Sequence, residues 1–230
     1  MSGSAEMRVS RLLAGGALLA GLMLAAVSAQ AAQVVMKKHV VQRQYTISGG
    51  DELQLLREMR RKGPRVGGKP ALASTRLQAR YSARLLRRGG MCRVRALSIQ
   101  ATYTMTLPKL RMVSGVQRAT RKRWPGFVAR LRSHERKHVS IWQDCLRQVR
   151  RELPALRAPD CTRLKQRLRT TYRRIMAQCS HRHDVFDRRE KHAAASLPFI
   201  KAAFGLAKAR LSSRTARHAR KRRATHGNWR

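Results

Sequence analysis

The sequence predicts an α+β fold in which a small antiparallel sheet with one short helix packs on a hairpin of two long helices. Short runs rich in β-branched and aromatic residues, some of them alternating with polar residues, occur before about residue 110. From about residue 115 the apolar residues instead recur every three or four positions, which is the period of a helix. Prolines 154 and 159 bracket a short connection between two such stretches, and this arrangement is typical of a helical hairpin.

The first half of the chain contains the predicted strands. Residues 34–48 form the first strand, which two glycines end. Asp51 is the predicted N-cap of a short helix over residues 52–62, which a Gly-Pro pair ends. Further strands are predicted at residues 72–83 and 92–106, and the second of these alternates apolar and polar side chains.

The second half contains the predicted helices. The first long helix ends at Pro154, and its apolar stripe comprises Phe127, Leu131, His134, His138, Ile141, Cys145, Val149 and Leu153. The second begins after Asp160 as N-cap, and its stripe comprises Leu164, Leu168, Tyr172, Ile175 and Cys179. An Ala-rich stretch after residue 192 predicts one more short helix. We expect residues 205–230, which are rich in Arg and Lys, to form a disordered basic tail.

The charge of the chain is strongly positive, with 52 Lys and Arg against 11 Asp and Glu and a net charge of +41. Such a charge predicts attraction to polyanions but does not identify a fold. The chain has no glycine period, no Ser/Thr/Pro tract and only one long apolar run, which excludes collagens, mucins and proteins with several membrane spans. Aromatic residues make up 5% of the chain and are not interleaved with the basic ones, so no specific nucleic acid is predicted.

The amino terminus has the pattern of a secretory signal peptide. Arg8 and Arg11 precede the apolar residues 12–27, and small residues follow. We predict cleavage after Ala31, so that residues 1–31 are removed and 199 residues with a charge of +40 remain. The alternative is an uncleaved membrane anchor. The predicted location is the periplasm or the cell exterior.

Four cysteines remain after this cleavage, namely Cys92, Cys145, Cys161 and Cys179. An even number in an oxidising compartment favours disulfides, and four cysteines allow three pairings. The alternative is free buried thiols. No two cysteines have the Cys-x-x-Cys spacing, so neither a thioredoxin-like site nor a zinc ribbon is indicated.

Residues 134–138 match H-E-x-x-H, the motif with the clearest chemical content in the chain. A spacing of four residues on a helix places the imidazoles of His134 and His138 on one face, where both can bind one zinc ion. Glu135 then lies beside the metal-bound water and can act as general base. The alternative is a pair of histidines that only pack in the core.

A catalytic zinc normally takes a third protein ligand. The metzincin extension of the motif would need Gly at 141 and His at 144, where the chain has Ile141 and Asp144. Glu152 lies about 21 Å along the same helix from His138, so it cannot complete the site. The third ligand must therefore come from another element, and residues 181–192, just after the second long helix, contain the candidates.

The sequence resembles a bacterial family of predicted secreted zinc-dependent proteases, formally a domain of unknown function, from about Tyr45 to His192. Besides the H-E-x-x-H, the matching residues are Tyr45 with Gly49, Glu52 with Leu53, Gly63 with Pro64, Cys92 with Val94, Leu107 with Pro108, Trp124, and Cys161 with Leu164. The last family signature, Tyr-Asp-x-x-Thr-x-His-Gly, corresponds here to Phe186, Asp187, Glu190, His192 and Ala193, which keep its Asp and its His.

The resemblance implies roles for these last residues. His192 would be the third zinc ligand, and Asp187 would orient a ligand imidazole. Because Tyr, Thr and Gly of the signature are replaced, Glu190 and His183 are alternative ligands. The resemblance also implies a disulfide between Cys92 and Cys161, which leaves Cys145 and Cys179 as the second pair.

Together these observations predict an exported zinc metallopeptidase of residues 32–204, with one Zn²⁺ per chain and protein or peptide substrates. Glu135 would be its general base, and the basic tail could contact an anionic envelope surface. The alternative is a cationic envelope protein that binds anionic polymers, such as lipopolysaccharide or nucleic acid, and whose zinc is not catalytic.

Overall fold

Among the residues that the structure describes, strands occupy most positions before residue 111 and helices most positions afterwards, which confirms the predicted α+β class. The computed structural model describes residues 31–111 and 115–226, with side chains as far as residue 218. In chain order the elements are β1 (Gln33–Ile47), α1 (Glu52–Lys62), β2 (Arg65–Val66), β3 (Lys69–Pro70), β4 (Ser74–Arg88), β5 (Met91–Leu110), α2 (Arg118–Ala155), β6 (Arg157–Ala158), α3 (Cys161–Ala195) and α4 (Pro198–His226). The predicted signal peptide lies outside the described residues, apart from Ala31.

The central strand of the main sheet is β5, which lies between β1 and β4. β4 and β5 form an antiparallel hairpin that turns at Gly89 and Gly90, where φ is 58° and 73°. Two successive residues with positive φ are typical of a tight hairpin turn, and glycine adopts this conformation without strain. The short strand β6 pairs with Cys92 and Arg93 at the start of β5, while β2 and β3 form a separate ribbon.

The pairing of β1 with β5 is parallel, which corrects the prediction of an antiparallel sheet for this pair. The two strands are aligned from Gln33 opposite Ala96 to Ile47 opposite Leu110. A parallel pair needs a long connection that carries the chain back to the end where the first strand began. Here α1 and β4 lie between them in sequence, and β4 runs in the opposite direction. Alternation in the sequence identified the strands but carries no information on their directions.

Helix α1 begins and ends where the sequence predicted. The Asp51 side chain accepts a hydrogen bond from the backbone N–H of Gln54 at 2.9 Å, which is an N-cap interaction. At the other end, a Cβ atom added to Gly63 would lie 2.4 Å from the carbonyl oxygen of Met59 and 2.5 Å from that of Ala71. Only glycine allows the chain to pass so close to both carbonyl groups.

Helices α2 and α3 form the predicted hairpin and pack on one face of the sheet. Asp160 caps α3 by accepting a hydrogen bond from the backbone N–H of Arg163 at 2.7 Å. The largest buried side chains between the hairpin and the sheet are Leu97, Ile99, Tyr103, Leu107, Leu146, Leu153, Leu164 and Ile175. Burial of these side chains away from water is the main stabilisation of the layer.

Helix α3 is longer than expected. Residues 181–192, which we expected to follow the helix, are part of it, since α3 ends only at Ala195. The chain contains neither glycine nor proline between residues 161 and 195, so no residue interrupts the helix. The period of α3 therefore determines the direction in which each metal-ligand candidate among residues 181–192 points.

Two disulfides join the elements that surround the core. Cys92 of β5 is bonded to Cys161 of α3, and Cys145 of α2 is bonded to Cys179 of α3. This pairing is the one that the family resemblance implied. The second bond connects the two helices of the hairpin directly. Disulfides persist in oxidising compartments, so both bonds are compatible with an extracytoplasmic location.

Helix α4 begins by completing a second apolar cluster and then continues into the segment predicted to be a disordered tail. Phe199 and Ala203 are buried against Met59 of α1 and Phe127 of α2. The helix continues to His226 because residues 206–226 contain no glycine or proline and are rich in Ala and Arg, which favour helices. None of the helices in the described part of the chain is both long and apolar enough to cross a membrane.

Candidate metal centre

The two histidines of the H-E-x-x-H motif face each other near the middle of α2. Their Nε2 atoms are 3.1 Å apart, and the rings are nearly perpendicular at 80°. His138 is mostly buried, with 12% of its side chain exposed, and His134 is 26% exposed. The helical spacing thus brings the two imidazoles together, as the sequence predicted.

Asp187 of α3 provides a third donor atom at the same point. Its Oδ1 atom lies 3.3 Å from Nε2 of His134 and 3.1 Å from Nε2 of His138. Ligand atoms that surround a metal ion tetrahedrally at about 2.0–2.1 Å lie about 3.3–3.4 Å from one another. The three observed separations are close to this value, so His134, His138 and Asp187 could hold a metal ion.

His192, the third ligand that the resemblance implied, does not join this group. It is exposed on α3, and it lies five residues beyond Asp187, which is about 140° around the helix. A side chain cannot reach the opposite helix from that position. In this structure Asp187, which we expected to orient a ligand, takes the third position instead.

Glu190 and His183, the two alternative ligands, both lie beside the centre. They share one face of α3 with Asp187, because the three residues are spaced by four and three positions. Glu190 forms an ion pair with Arg130 of α2, and its Oε2 atom lies 3.9 Å from Nδ1 of His134. Neither residue belongs to the group of three converging donors.

His183 contacts the imidazole of His138 on the side that faces away from His134 and Asp187. The two Nδ1 atoms are 2.7 Å apart, while Nε2 of His138 points toward His134 and Asp187. Metal ligation by Nε2 of His138 requires its proton to lie on Nδ1, which then donates to Nδ1 of His183. Burial and the nearby His138 ring lower the pKa of His183 to about 4, so His183 is neutral at neutral pH and can accept this bond.

The protonation of His138 also suits ligation. Burial is the largest effect and lowers the pKa of its imidazole, and His134 lowers it further, while Asp187 acts in the opposite direction. The net shift is downward, which favours the neutral ring that metals bind. The Nε2 atom of His183 is buried and has no hydrogen-bond partner among the described residues.

Glu135 is buried beside the centre, with 4% of the residue exposed. Its Oε2 atom accepts a hydrogen bond of 2.8 Å from the hydroxyl group of Thr75, at the start of β4. Burial raises the pKa of the Glu135 carboxyl to about 7; the Thr75 hydrogen bond lowers it and the charge of Asp187 raises it. A carboxyl group with such a pKa can take up and release a proton near neutral pH.

A cleft of about 470 Å³ gives access to these residues. Residues 71–75, at and before the start of β4, line one side, and α2 and α3 line the other. Trp142 is half-buried and forms part of the wall, and the centroid of its ring lies 4.3 Å from that of His183. The cleft is large enough for a few residues of an extended peptide.

Two contributors to the centre were not identified from the sequence. Thr75 is an ordinary residue of a predicted strand, and only the packing of β4 on α2 brings it to Glu135. Phe186 stacks on His134 with the ring centroids 4.8 Å apart and meets the edge of His138 at 5.1 Å. The only indication in the sequence that Phe186 belongs to the site is its position next to Asp187 in the family signature.

The fold and the site define an α+β protein with a candidate metal centre of two histidines and one aspartate on a helical hairpin. The chain belongs to the family described as "Bacterial protein of unknown function (DUF922)", whose model matches residues 42–193. The match includes every residue of the candidate centre. No curated protein and no solved structure matches the chain. The family description assigns no activity, so the function has to be argued from the site.

Proposed function

We propose that this protein is an exported zinc-dependent metallopeptidase. The observation that carries the proposal is the position of Glu135, a buried carboxyl in the wall of the cleft, next to three converging donor atoms. A purely structural metal site has no need of an additional buried carboxyl group. A hydrolytic site, in contrast, needs a group beside the metal ligands that can accept a proton and donate it again.

The donor set supports zinc as the metal. Two imidazoles and one carboxylate are a ligand combination of catalytic zinc sites, which leave the fourth position open. The chemistry that zinc supplies in such a site is Lewis acidity, which polarises a carbonyl group and acidifies water. The same ligand types also occur in iron(II) sites, so metal analysis is part of the test below.

Glu135 would move the proton in the reaction. Thr75 holds its Oε2 atom, which leaves Oε1 available to accept a proton from the attacking water. The protonated carboxyl would then donate this proton to the leaving amine. The surrounding apolar groups keep bulk water away from the carboxyl and sustain its raised pKa.

The position of β4 supports a peptide as substrate. β4 is an end strand of the main sheet as far as the structure describes it, and Ser74 and Thr75 at its start line the cleft. The backbone groups on the side away from β5 can pair with an extended peptide, which would then cross the cleft. Export to the periplasm or beyond is proposed from the signal-peptide pattern, and the two disulfides support it.

Metal analysis and peptide cleavage by the mature chain test this function. A proteome-derived peptide library is incubated with the zinc-loaded wild type and with Glu135→Gln, and cleavage is read by mass spectrometry. Glu152→Gln is the matched control, because Glu152 lies on the same helix but pairs with Gln148 and Arg174 away from the cleft.

We expect about one zinc per chain in all three proteins. The wild type and Glu152→Gln should cleave peptides, chelation should stop cleavage, and Glu135→Gln should be at least about 100-fold slower. A zinc-loaded wild type that cleaves no peptide, a Glu135→Gln variant of unchanged activity, or bound iron in place of zinc would overturn the proposal. Inactivity with bound zinc would favour the cationic envelope protein.

A further inference from the structure

One face of the main sheet is open to solvent along most of its length. Helices α2 and α3 pack on the face that presents Leu97, Ile99 and Tyr103 of β5. On the opposite face Gln100 is exposed and Thr102 is half-buried. We call this opposite face, between residues 33 and 43 of β1 and their partners in β5 and β4, the outer face.

The register of the strands shows which side chains share the outer face, because directly paired residues point to the same side of a sheet. In the order β1, β5, β4, the six rows are Gln33, Ala96, Arg84; Val35, Ser98, Ser82; Lys37, Gln100, Arg80; His39, Thr102, Gln78; Val41, Thr104, Arg76; and Arg43, Thr106, Ser74. Hydroxyl and amide groups thus occupy most of the central column, and cations lie on both sides. The face is about 33 Å long.

The outer face is cationic and lacks any acidic residue. Its cations Lys37, Arg43, Arg76, Arg80 and Arg84 are all exposed. None of them belongs to a salt bridge between described residues. Strands β1, β4 and β5 contain no Asp or Glu at all. Uncompensated charges of one sign on a single face attract polyanions.

Helices α1, α2 and α3 differ from the sheet in this respect, because each of them contains carboxylates, whereas α4 contains none. Every carboxylate in the described part of the chain lies on a helix or at a helix N-cap, and most have a cationic partner there. Asp51, for example, is buried and pairs with Arg210 of α4, and Glu52 pairs with Arg123 at 2.8 Å. The positive charge of α1, α2 and α3 is therefore partly compensated, whereas that of the outer face is not.

We propose that the outer face binds a linear phosphate polymer. Four of its five cations are arginines, whose guanidinium groups match phosphate oxygens in a bidentate manner. Ser98, Gln100, Thr102, Thr104 and Thr106 add side-chain donors between the cationic edges. The rows contain no Phe, Tyr or Trp on which a nucleobase could stack, which favours a polymer of phosphate groups over single-stranded nucleic acid.

Binding at the outer face would leave the cleft accessible. Thr75 points to the helical side of β4 and contacts Glu135, whereas the next residue, Arg76, points to the outer face. The proposal is therefore independent of the peptidase function. The polyanion contact then lies on the sheet, whereas we expected the basic tail to provide it.

Binding of inorganic polyphosphate to the mature chain tests the proposal with two variants of equal charge. Arg76→Gln/Arg80→Gln/Arg84→Gln removes three cations of the outer face. Lys208→Gln/Arg214→Gln/Arg217→Gln removes three exposed cations of α4 and is the matched control. Dissociation constants are measured at several salt concentrations, and circular dichroism melting verifies that both variants fold.

We expect the outer-face variant to bind polyphosphate at least about tenfold more weakly and with a shallower salt dependence, because fewer counterions are released. The α4 variant should change the dissociation constant less than about threefold. Equal losses in both variants would show that net charge alone decides binding, and would overturn the proposal. The proposal would also be overturned if single-stranded DNA with the same number of phosphates as the polyphosphate bound the wild type more tightly.

Acetylation of lysines in the wild-type protein provides a second measurement that needs no variant. Polyphosphate should protect Lys37 of the outer face and leave Lys208 of α4 reactive, since only the former lies under the polymer. Equal protection of both lysines, or protection of Lys208 alone, contradicts the assignment of the surface.

Discussion

The Nδ1 atoms of His138 and His183 lie 2.7 Å apart, so the orientation of the ligand imidazole depends on a second histidine from the neighbouring helix. Metal-binding histidines usually donate their second N–H to a carboxylate or a backbone carbonyl. Here the acceptor is a neutral imidazole, which adds no negative charge to a site that already contains Asp187 and Glu135.

Replacement of His183 by asparagine and by glutamine should therefore have different effects. The asparagine side-chain oxygen can take the place of Nδ1 and accept the bond from His138, whereas that of glutamine extends to about the position of Nε2. We expect zinc affinity within about threefold of wild type for His183→Asn and about 10–100-fold weaker for His183→Gln. Competition with a chromophoric chelator measures both.

His181→Asn is the control for this pair, since His181 is an exposed residue of the same helix. Its zinc affinity should not change. If His183→Gln binds zinc as tightly as His183→Asn does, the hydrogen bond does not position His138.

Substitution at Asp187 and at His192 separates the two candidates for the third ligand. Asp187→Asn removes the carboxylate whose Oδ1 atom approaches both imidazoles, and we expect zinc affinity to fall at least about 100-fold. His192→Ala alters an exposed residue outside the centre and should leave the affinity unchanged. Equilibrium dialysis with metal analysis distinguishes them. Loss of zinc from His192→Ala alone would restore the three-histidine site that the family resemblance implied.

The raised pKa of Glu135 predicts a pH-dependent stability for the chelator-treated protein. The carboxyl group has a pKa of about 7 in the folded chain and an ordinary value of 4.5 when unfolded, so the folded state holds this proton more tightly. As pH rises through this interval, the unfolded chain loses the proton first, and the folded state is progressively destabilised. The Glu135→Gln variant has no carboxyl group at this position, so it does not lose stability in this way as pH rises.

In urea unfolding with chelator present, we expect Glu135→Gln to gain about 1–3 kcal/mol relative to wild type between pH 4.5 and pH 8. Glu152→Gln should show no such gain, because its neighbours Gln148 and Arg174 lower the pKa of Glu152. A difference between Glu135→Gln and wild type that stays constant with pH would be inconsistent with a raised pKa at this position.

The hydrogen bond from Thr75 to Glu135 predicts different outcomes for two substitutions of this threonine. Thr75→Ser keeps the hydroxyl group, whereas Thr75→Val keeps the shape but leaves Oε2 of a buried carboxyl without this donor. An unsatisfied buried group costs about 1–3 kcal/mol. Thr75→Val should therefore be less stable than Thr75→Ser at pH 8 by at least about 1 kcal/mol in urea unfolding. Equal stability of the two variants would mean that the hydroxyl group does not hold Glu135.

The local features of the fold were predictable from the sequence because they depend on neighbouring residues. Asp51 and Asp160 cap helices in the way that their positions before helical stretches indicated. His134 and His138 converge because four residues are about one helical turn. The limits of α3 and α4 were predicted too short. No glycine or proline interrupts α3 before Ala195, and α4 continues through Gly205 into the segment whose charge was interpreted as a disordered tail.

The sequence by itself determined the α+β class, the helical hairpin, the two histidines that face each other and the strongly positive net charge. Only the tertiary structure decided that Asp187, rather than His192, completes the candidate centre, because that choice depends on which face of α3 packs against α2. It likewise decided that Thr75 holds Glu135 and that β1 runs parallel to β5. Spacing along the chain sets positions within one helix or strand, whereas contacts between elements depend on their packing, which no local pattern encodes.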